Sequence, residues 1–253
     1  MKDELIYGMN PVLEALRSKR RAFELFVARG GTDRRLEKVL RLAQEKGVPV
    51  RQREKGDLAR LCATEHHQGV ALRAEPFAYV ELDQLLANWR ASGQAGLVLV
   101  LDEIQDPHNL GALIRSAACA GAHGVVIPRD RAARVTPAVE KASAGATETV
   151  AVAQVTNLAQ ALTELKAAGF WVFGADQEAP SVLFDLDLTG NVVLVVGSEG
   201  EGLRALTRKQ CDFRFAIPLA GGVASLNASV AGGIALFETV RQRRGSSGVS
   251  CQK

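Results

Sequence analysis

Three stretches of this 253-residue chain set polar side chains of chemically useful kinds among small and apolar neighbours. Residues 106–121, "DPHNLGALIRSAACAG", carry Asn109 and Arg115 on what reads as a tightly packed helix. Gly111 lies one turn before Arg115, and a helical side chain leans back over the preceding turn, so the spacing leaves room for an anion or a ribose between the guanidinium and the backbone. Residues 197–205, "GSEGEGLRA", set Glu199 and Glu201 among three glycines. Residues 219–240, "LAGGVASLNASVAGGIALFETV", place Ser225, Asn227 and Ser229 between a glycine turn and a helix whose start is nearly all small. A helix cap explains one of those three cheaply, and three polar groups in a packed region need partners.

The glycine loop first suggests a dinucleotide site, but the order is G-x-x-G-x-G, two carboxylates would repel a pyrophosphate, and Gly222 stands where an acid for the ribose is expected. A nucleotide-dependent oxidoreductase is thereby weakened. Glycines with carboxylates suit a ligand that is neutral or cationic.

All three stretches follow apolar strands. From Leu97 onward "LVLVLD", "GVVIP", "TVAVAQV", "FWVFGA", "NVVLVVG" and "FRFAIP" alternate with helical segments, the mark of a parallel sheet covered on both faces, in which ligands bind beyond the carboxyl ends of the strands. Asn109 is a candidate cap for the helix after "LVLVLD". Residues 1–75 form a smaller α/β unit: "LIYG", a helix opened by Asn10-Pro11 with Asn10 as its cap, "FELFVA", a helix from Asp33 to Lys46 with Leu36, Val39, Leu40 and Ala43 on one face, then "VPV", "KGDLARLC" and "VALRA". Residues 76–96 read as a linker with a lead-in helix, 97–245 as the parallel-sheet domain and 246–253 as a tail.

Charge divides along the same boundary. Residues 1–75 hold 16 Lys+Arg against 11 Asp+Glu, a net of +5, whereas the remainder holds 15 against 17. A basic N-terminal end points to an anionic partner, nucleic acid foremost. The "PRDRAAR" loop, with Arg129, Arg131 and Arg134 beyond a strand end, could contact phosphates as well. His66-His67 read as residues that shape the turn before "VALRA". With 47% apolar residues, no run of roughly 18 apolar residues and no long apolar segment at the N-terminus, a cytosolic protein is expected. Cys62, Cys119, Cys211 and Cys251 stand far apart, which suits neither zinc nor a disulfide framework, so reduced thiols are expected.

"DPHNLGALIRSA", "LVVGSEGEGL" and "IPLAGGVASLNASVA" together resemble, in order and spacing, the three motifs of the SpoU (TrmH-like) family of RNA ribose 2′-O-methyltransferases within the SPOUT superfamily. "IYGMNPVLEAL" and "HHQGVAL" resemble the subgroup that methylates a guanosine of 23S ribosomal RNA. The resemblance implies an α/β fold whose parallel-sheet methyltransferase domain is tied in a trefoil knot, preceded by a small RNA-binding domain like certain ribosomal proteins. Knots are otherwise essentially absent from folds, and pattern alone draws an unknotted sheet.

By the same resemblance Asn109, Arg115, Glu199, Ser225 and Asn227 are the catalytic set. Gly197, Ile217 and Leu226 bind S-adenosylmethionine through backbone, and Asn10, Arg129, Arg131 and Arg134 are expected to touch RNA. Ser198 and Ala228 depart from the residues familiar at their positions. No metal is implied, because the leaving thioether is neutral. A guanidinium is not deprotonated in proteins, so Arg115 is read as a clamp on the phosphate beside the target ribose, with that phosphate or a water taking the proton. A homodimer is expected through Gly111, Ala112, Ala118 and Cys119 of the first helix and Val230, Ile234, Phe237 and Val240 of the last. The alternatives are a methyltransferase acting on tRNA, and a knotted RNA-binding protein without catalysis.

Overall fold

The computed structural model describes residues 3–30, 33–198, 200–222 and 224–247. The chain divides into two compact units, one of residues up to 78 together with 134–149, the other of residues 79–133 and 150 onward.

In the first unit β1 (Glu4–Tyr7), α1 (Met9–Arg17), β2 (Ala22–Ala28), α2 (Arg34–Glu45), β3 (Val50–Arg53), α3 (Lys55–Cys62) and β4 (Val70–Ala74) build a four-stranded sheet in the order β1-β4-β2-β3. Leu36, Val39 and Ala43 of α2 are buried at helical spacing against Val12, Ala15 and Leu16 of α1, and Asp33 caps α2 by accepting from the Arg35 amide. Asn10 does not cap α1: Gly8 holds the cap position, Asn10 is already inside the first turn and exposed, and the Met9 amide donates to Gln68 Oε1. His67 is fully buried and its Nδ1 accepts the Gly69 amide, so it shapes the turn into β4.

The second unit begins with α4 (Leu82–Ser92), β5 (Leu97–Asp102), α5 (Pro107–Cys119) and β6 (Gly124–Pro128). The chain then supplies α6 (Pro137–Ala142) and a 3-10 turn at Ala146–Glu148 to the first unit. It returns as β7 (Val152–Val155), α7 (Leu158–Ala167), β8 (Trp171–Ala175), β9 (Ser181–Val182), β10 (Val192–Gly197), α8 (Ala205–Gln210), β11 (Phe213–Ala216) and α9 (Ala228–Ser247). Its seven strands run in the order β7-β6-β5-β10-β8-β11-β9, every pairing parallel. Every residue of β5, β6 and β10 is buried, which explains their unbroken apolar runs. Arg243, near the end of α9, donates to the carbonyls of Ala95, Gly96 and Gly190 just before β5 and β10, which fastens the helix to the amino ends of the central strands. Among the described residues no helix is long and apolar enough to cross a membrane, and Cys62, Cys119 and Cys211 are free thiols; Cys251 lies outside the described residues.

The placement of 134–149 was not visible in the sequence, which ran 97–245 as one domain. Its cause is ionic and steric. Arg20 is nearly buried and reaches Glu4 at 2.6 Å, Glu148 at 2.8 Å, and Glu140 of α6. Gly145, at φ +87°, lies where an added Cβ would stand 2.9 Å from the Glu14 side chain, so only glycine lets this turn approach α1. Three carboxylates surround one guanidinium. Burial pushes the Glu140 carboxyl up to about 7, Arg20 pulls it down, and Glu4 and Glu148 push it further up; one of its oxygens has no hydrogen-bond partner among the described residues.

The native state therefore holds a proton on Glu140 more strongly than the unfolded chain does. Its contribution to stability is present below the ordinary carboxylate range and is lost as pH rises through about 7, at a cost of about 3 kcal/mol. Amide exchange in α6 and β1 should accelerate between pH 5.5 and 8.5 beyond the intrinsic pH effect, and Glu140→Gln should remove most of that excess. Equal excess acceleration in the variant would refute the assignment.

Candidate active site

The carboxyl ends of β5, β8, β10 and β11 converge on two cavities. The larger, about 440 Å³, is lined by Asp176 and Gln177 beyond β8, by Val196, Gly197, Ser198, Gly200 and Gly202 around the end of β10, by Phe215 and Ile217 at β11, and by Ser225–Ala228 leading into α9. The three positions expected to hold a cofactor, Gly197, Ile217 and Leu226, thus face one space of a size usual for ligand sites. An added Cβ at Gly197 would stand 2.2 Å from the Gly202 backbone, because Ser198 and Gly202 exchange two backbone hydrogen bonds that close the glycine loop on itself. Ser198 and Gly202 thereby form a close pairing just past the end of β10. Asp176 is the one ionisable side chain among the described lining residues, and the others offer hydroxyls, amides and apolar surface. This donor and acceptor set fits a largely neutral ligand with a cationic centre, such as S-adenosylmethionine.

A second cavity of about 360 Å³ shares Ser198 with the first and is lined by Glu103, Ile104, Gln105, Asp106, Asn109 and Glu201. Asn109 joins the two stretches of chain that meet here: its Oδ1 accepts from Asn227 Nδ2 at 3.0 Å. Asn109 is nevertheless not the helix cap. Asp106 is, accepting from the His108 and Asn109 amides with Pro107 at the first helical position, which leaves Asn109 on the buried face of α5. The cap of α9 is Asn227, whose Oδ1 accepts from the Ser229 amide, the Val230 amide and the Ser229 hydroxyl. One amide side chain therefore caps a helix and holds Asn109, which accounts for two of the three polar residues there; Ser225 lines the larger cavity.

The structure does not bring every expected residue into these cavities. Arg115 lines neither, lies exposed on α5, and has no acidic partner among the described residues. Glu199 lies outside the described residues. Arg129, Arg131 and Arg134 are exposed, but Arg129 and Arg131 belong to the second unit and Arg134 to the first.

Two acids that the sequence reading passed over hold the site. Asp102, the fully buried last residue of β5, accepts from Arg204 Nε at 2.6 Å and from the Arg204 amide at 2.9 Å, while Arg204 also reaches Glu103 at 3.2 Å. Glu103 sits at φ +60°, a conformation a non-glycine residue adopts only under local constraint. Asp176 takes Arg214 at 2.9 Å and Arg208 at 3.4 Å. An acid at or just past the end of an apolar strand was the available signal for both.

A family model described as the SpoU rRNA methylase family matches residues 96–237, and one described as RNA 2′-O ribose methyltransferase substrate binding matches residues 5–80. The chain belongs to the SpoU rRNA methylase family. Among its relatives in that family, the 23S rRNA (guanosine-2′-O-)-methyltransferase RlmB of Ralstonia nicotianae is 44% identical over 246 residues, spanning 96% of this chain and 97% of that one. The putative TrmH family tRNA/rRNA methyltransferase YacO of Bacillus subtilis is 40% identical over 240 residues, spanning 95% and 96%. Of solved SpoU structures, the methyltransferase AviRb of Streptomyces viridochromogenes in complex with AdoMet superposes with a TM-score of 0.80 at 26% identity, covering 96% of this chain and 91% of that one.

Proposed function

We propose that this SpoU enzyme transfers a methyl group from S-adenosylmethionine to a ribose 2′-hydroxyl of a guanosine in 23S ribosomal RNA, in the cytosol. The observation that carries the reading is the Asn227–Asn109 hydrogen bond, which joins the wall of the larger cavity to that of the smaller and sets two ligand spaces side by side. In this reading the larger cavity holds the methyl donor and the smaller receives the target nucleoside; relatives of high coverage are named for that reaction. The donor supplies an activated methyl on a sulfonium. The protein supplies alignment: a 2′-hydroxyl is a weak nucleophile, and holding it in line is the main source of rate. Arg115, outside both cavities, clamps the neighbouring phosphate with its planar fork. Glu199, Ser225 and Asn227 order the loops, and Gly197, Ile217 and Leu226 hold the donor. Asn10, Arg129, Arg131 and Arg134 contact RNA, and the trefoil knot of the family sets the third loop against the second.

The test is transfer of labelled methyl to large-subunit RNA, with the product mapped by resistance to alkaline cleavage, which only a blocked 2′-hydroxyl confers. Label on a base would overturn the reaction type, and label on tRNA alone the substrate.

The enzyme is further proposed to act as a homodimer through α5 and α9. Val230 and Phe237 are 48% and 49% exposed, and Cys119 beside the half-buried Ala112 and Ala118 is exposed too, whereas Gly111 is buried within its own chain. Light scattering at micromolar concentration should give twice the chain mass, and a monomer would refute the pairing.

A further inference from the structure

We propose that Asp176 accepts a hydrogen bond from the nucleoside half of the methyl donor, and not from its amino-acid half. The inference rests on the reading of the larger cavity as the donor site. Asp176 follows β8, its side chain is 5% exposed, and it lines that cavity. Oδ2 faces Arg214 Nη1 at 2.9 Å and Arg208 Nε at 3.4 Å, and Oδ1 accepts the Glu178 amide at 3.1 Å. A carboxylate offers about four acceptor positions, so one remains on Oδ1.

A buried acceptor left idle is costly, and a ligand donor would use it. The sign of the local charge selects which donor. Two guanidiniums against one carboxylate leave the cluster net positive, which repels the ammonium of an amino acid and tolerates a neutral donor. S-adenosylmethionine has two kinds of neutral donor, the ribose hydroxyls and the adenine amino group, and both belong to the nucleoside half. The arginines have a second effect: together with the Glu178 amide they hold the carboxylate in one orientation, so that its oxygen is placed before the ligand arrives.

The experiment is calorimetric binding to wild type and Asp176→Asn of S-adenosylmethionine, S-adenosylhomocysteine and 5′-methylthioadenosine, which lacks the amino-acid half. The asparagine variant should weaken all three about ten- to a hundredfold, the size expected for a hydrogen bond to a charged group. Weakening confined to the two ligands that carry the amino acid would overturn the proposal, as would no weakening at all. To separate contact from a loosened fold, 2′-deoxy, 3′-deoxy and N6,N6-dimethyl forms of 5′-methylthioadenosine are compared in both proteins. One of these deletions should cost affinity in wild type and little more in the variant, because the two arginines draw the asparagine oxygen to themselves and leave an NH2 donor where the acceptor stood. Equal costs in both proteins would mean that Asp176 only supports the fold. Failure of wild type to bind any ligand would instead remove the donor-site reading, and this inference with it.

Discussion

Arg115→Ala is expected to lower methyl transfer roughly 100- to 1,000-fold, the range seen when one fixed electrostatic contact to the reacting groups is removed. Affinity for S-adenosylmethionine should stay nearly unchanged, because Arg115 lines neither cavity. The fold should be unaffected as well, since the side chain is exposed and engages no acid among the described residues. Arg115→Lys separates charge from shape: a single ammonium keeps the charge but cannot grip a phosphate with two parallel bonds, so it should recover only a small part of the rate. Single-turnover transfer with saturating donor reads the rate, and calorimetry reads the donor. Near-normal transfer by the alanine variant would remove Arg115 from the mechanism, and a collapse of donor binding would assign it to the wrong site.

The second large effect concerns residues 1–75. Their basic charge leaves the rest of the chain slightly acidic and poorly suited to a polyanion, so a truncated protein beginning at residue 76 should lose methylation of ribosomal RNA by at least about 100-fold, chiefly through RNA affinity and register. Both cavities are built from residues beyond 102 and should still bind S-adenosylmethionine. The structure alters what else to expect. The truncation removes Arg20, the cation shared by Glu140 and Glu148, together with the α1 and β1 surfaces that residues 134–149 pack on. Residues 134–149 should then open. Limited proteolysis should cut the truncated protein there and spare the full chain at that segment. Full activity without residues 1–75 would overturn the division of labour, and an uncut 134–149 would overturn its dependence on those residues.

What was legible in the sequence follows from the range of the forces involved. β5, β6 and β10 were readable because a strand buried on both faces must be apolar throughout, and β7, β8 and β11 because apolar residues still dominate them, while Ser181–Val182 of β9 is too short to show any pattern. Gly197, Ile217 and Leu226 came from the resemblance to the family and not from the strand pattern, and all three line the larger cavity. Caps were legible in principle and misassigned twice. Near Asn109 the decisive sign was Pro107, which occupies first helical positions and so makes Asp106 the cap. Near Asn10 the cap is a glycine with no side chain to announce it, and its neighbour's amide is taken by Gln68, 59 residues away. The pairing of Arg20 with Glu140 spans 120 residues, and no local rule reaches so far.

The Asp102–Arg204 clasp has a bearing on turnover. It ties the loop after β10 to the end of β5, neighbours in the sheet, through a fully buried carboxylate, so those two walls of the site must move as one body or not at all. Between β11 and α9 the described residues Gly221, Gly222, Ala224 and Ser225 are exposed and belong to no helix or strand, and Asn227 ties the start of α9 to Asn109. In the proposed reading of the smaller cavity, the clasp fixes the wall that meets the target ribose, so that its register is the same from one cycle to the next.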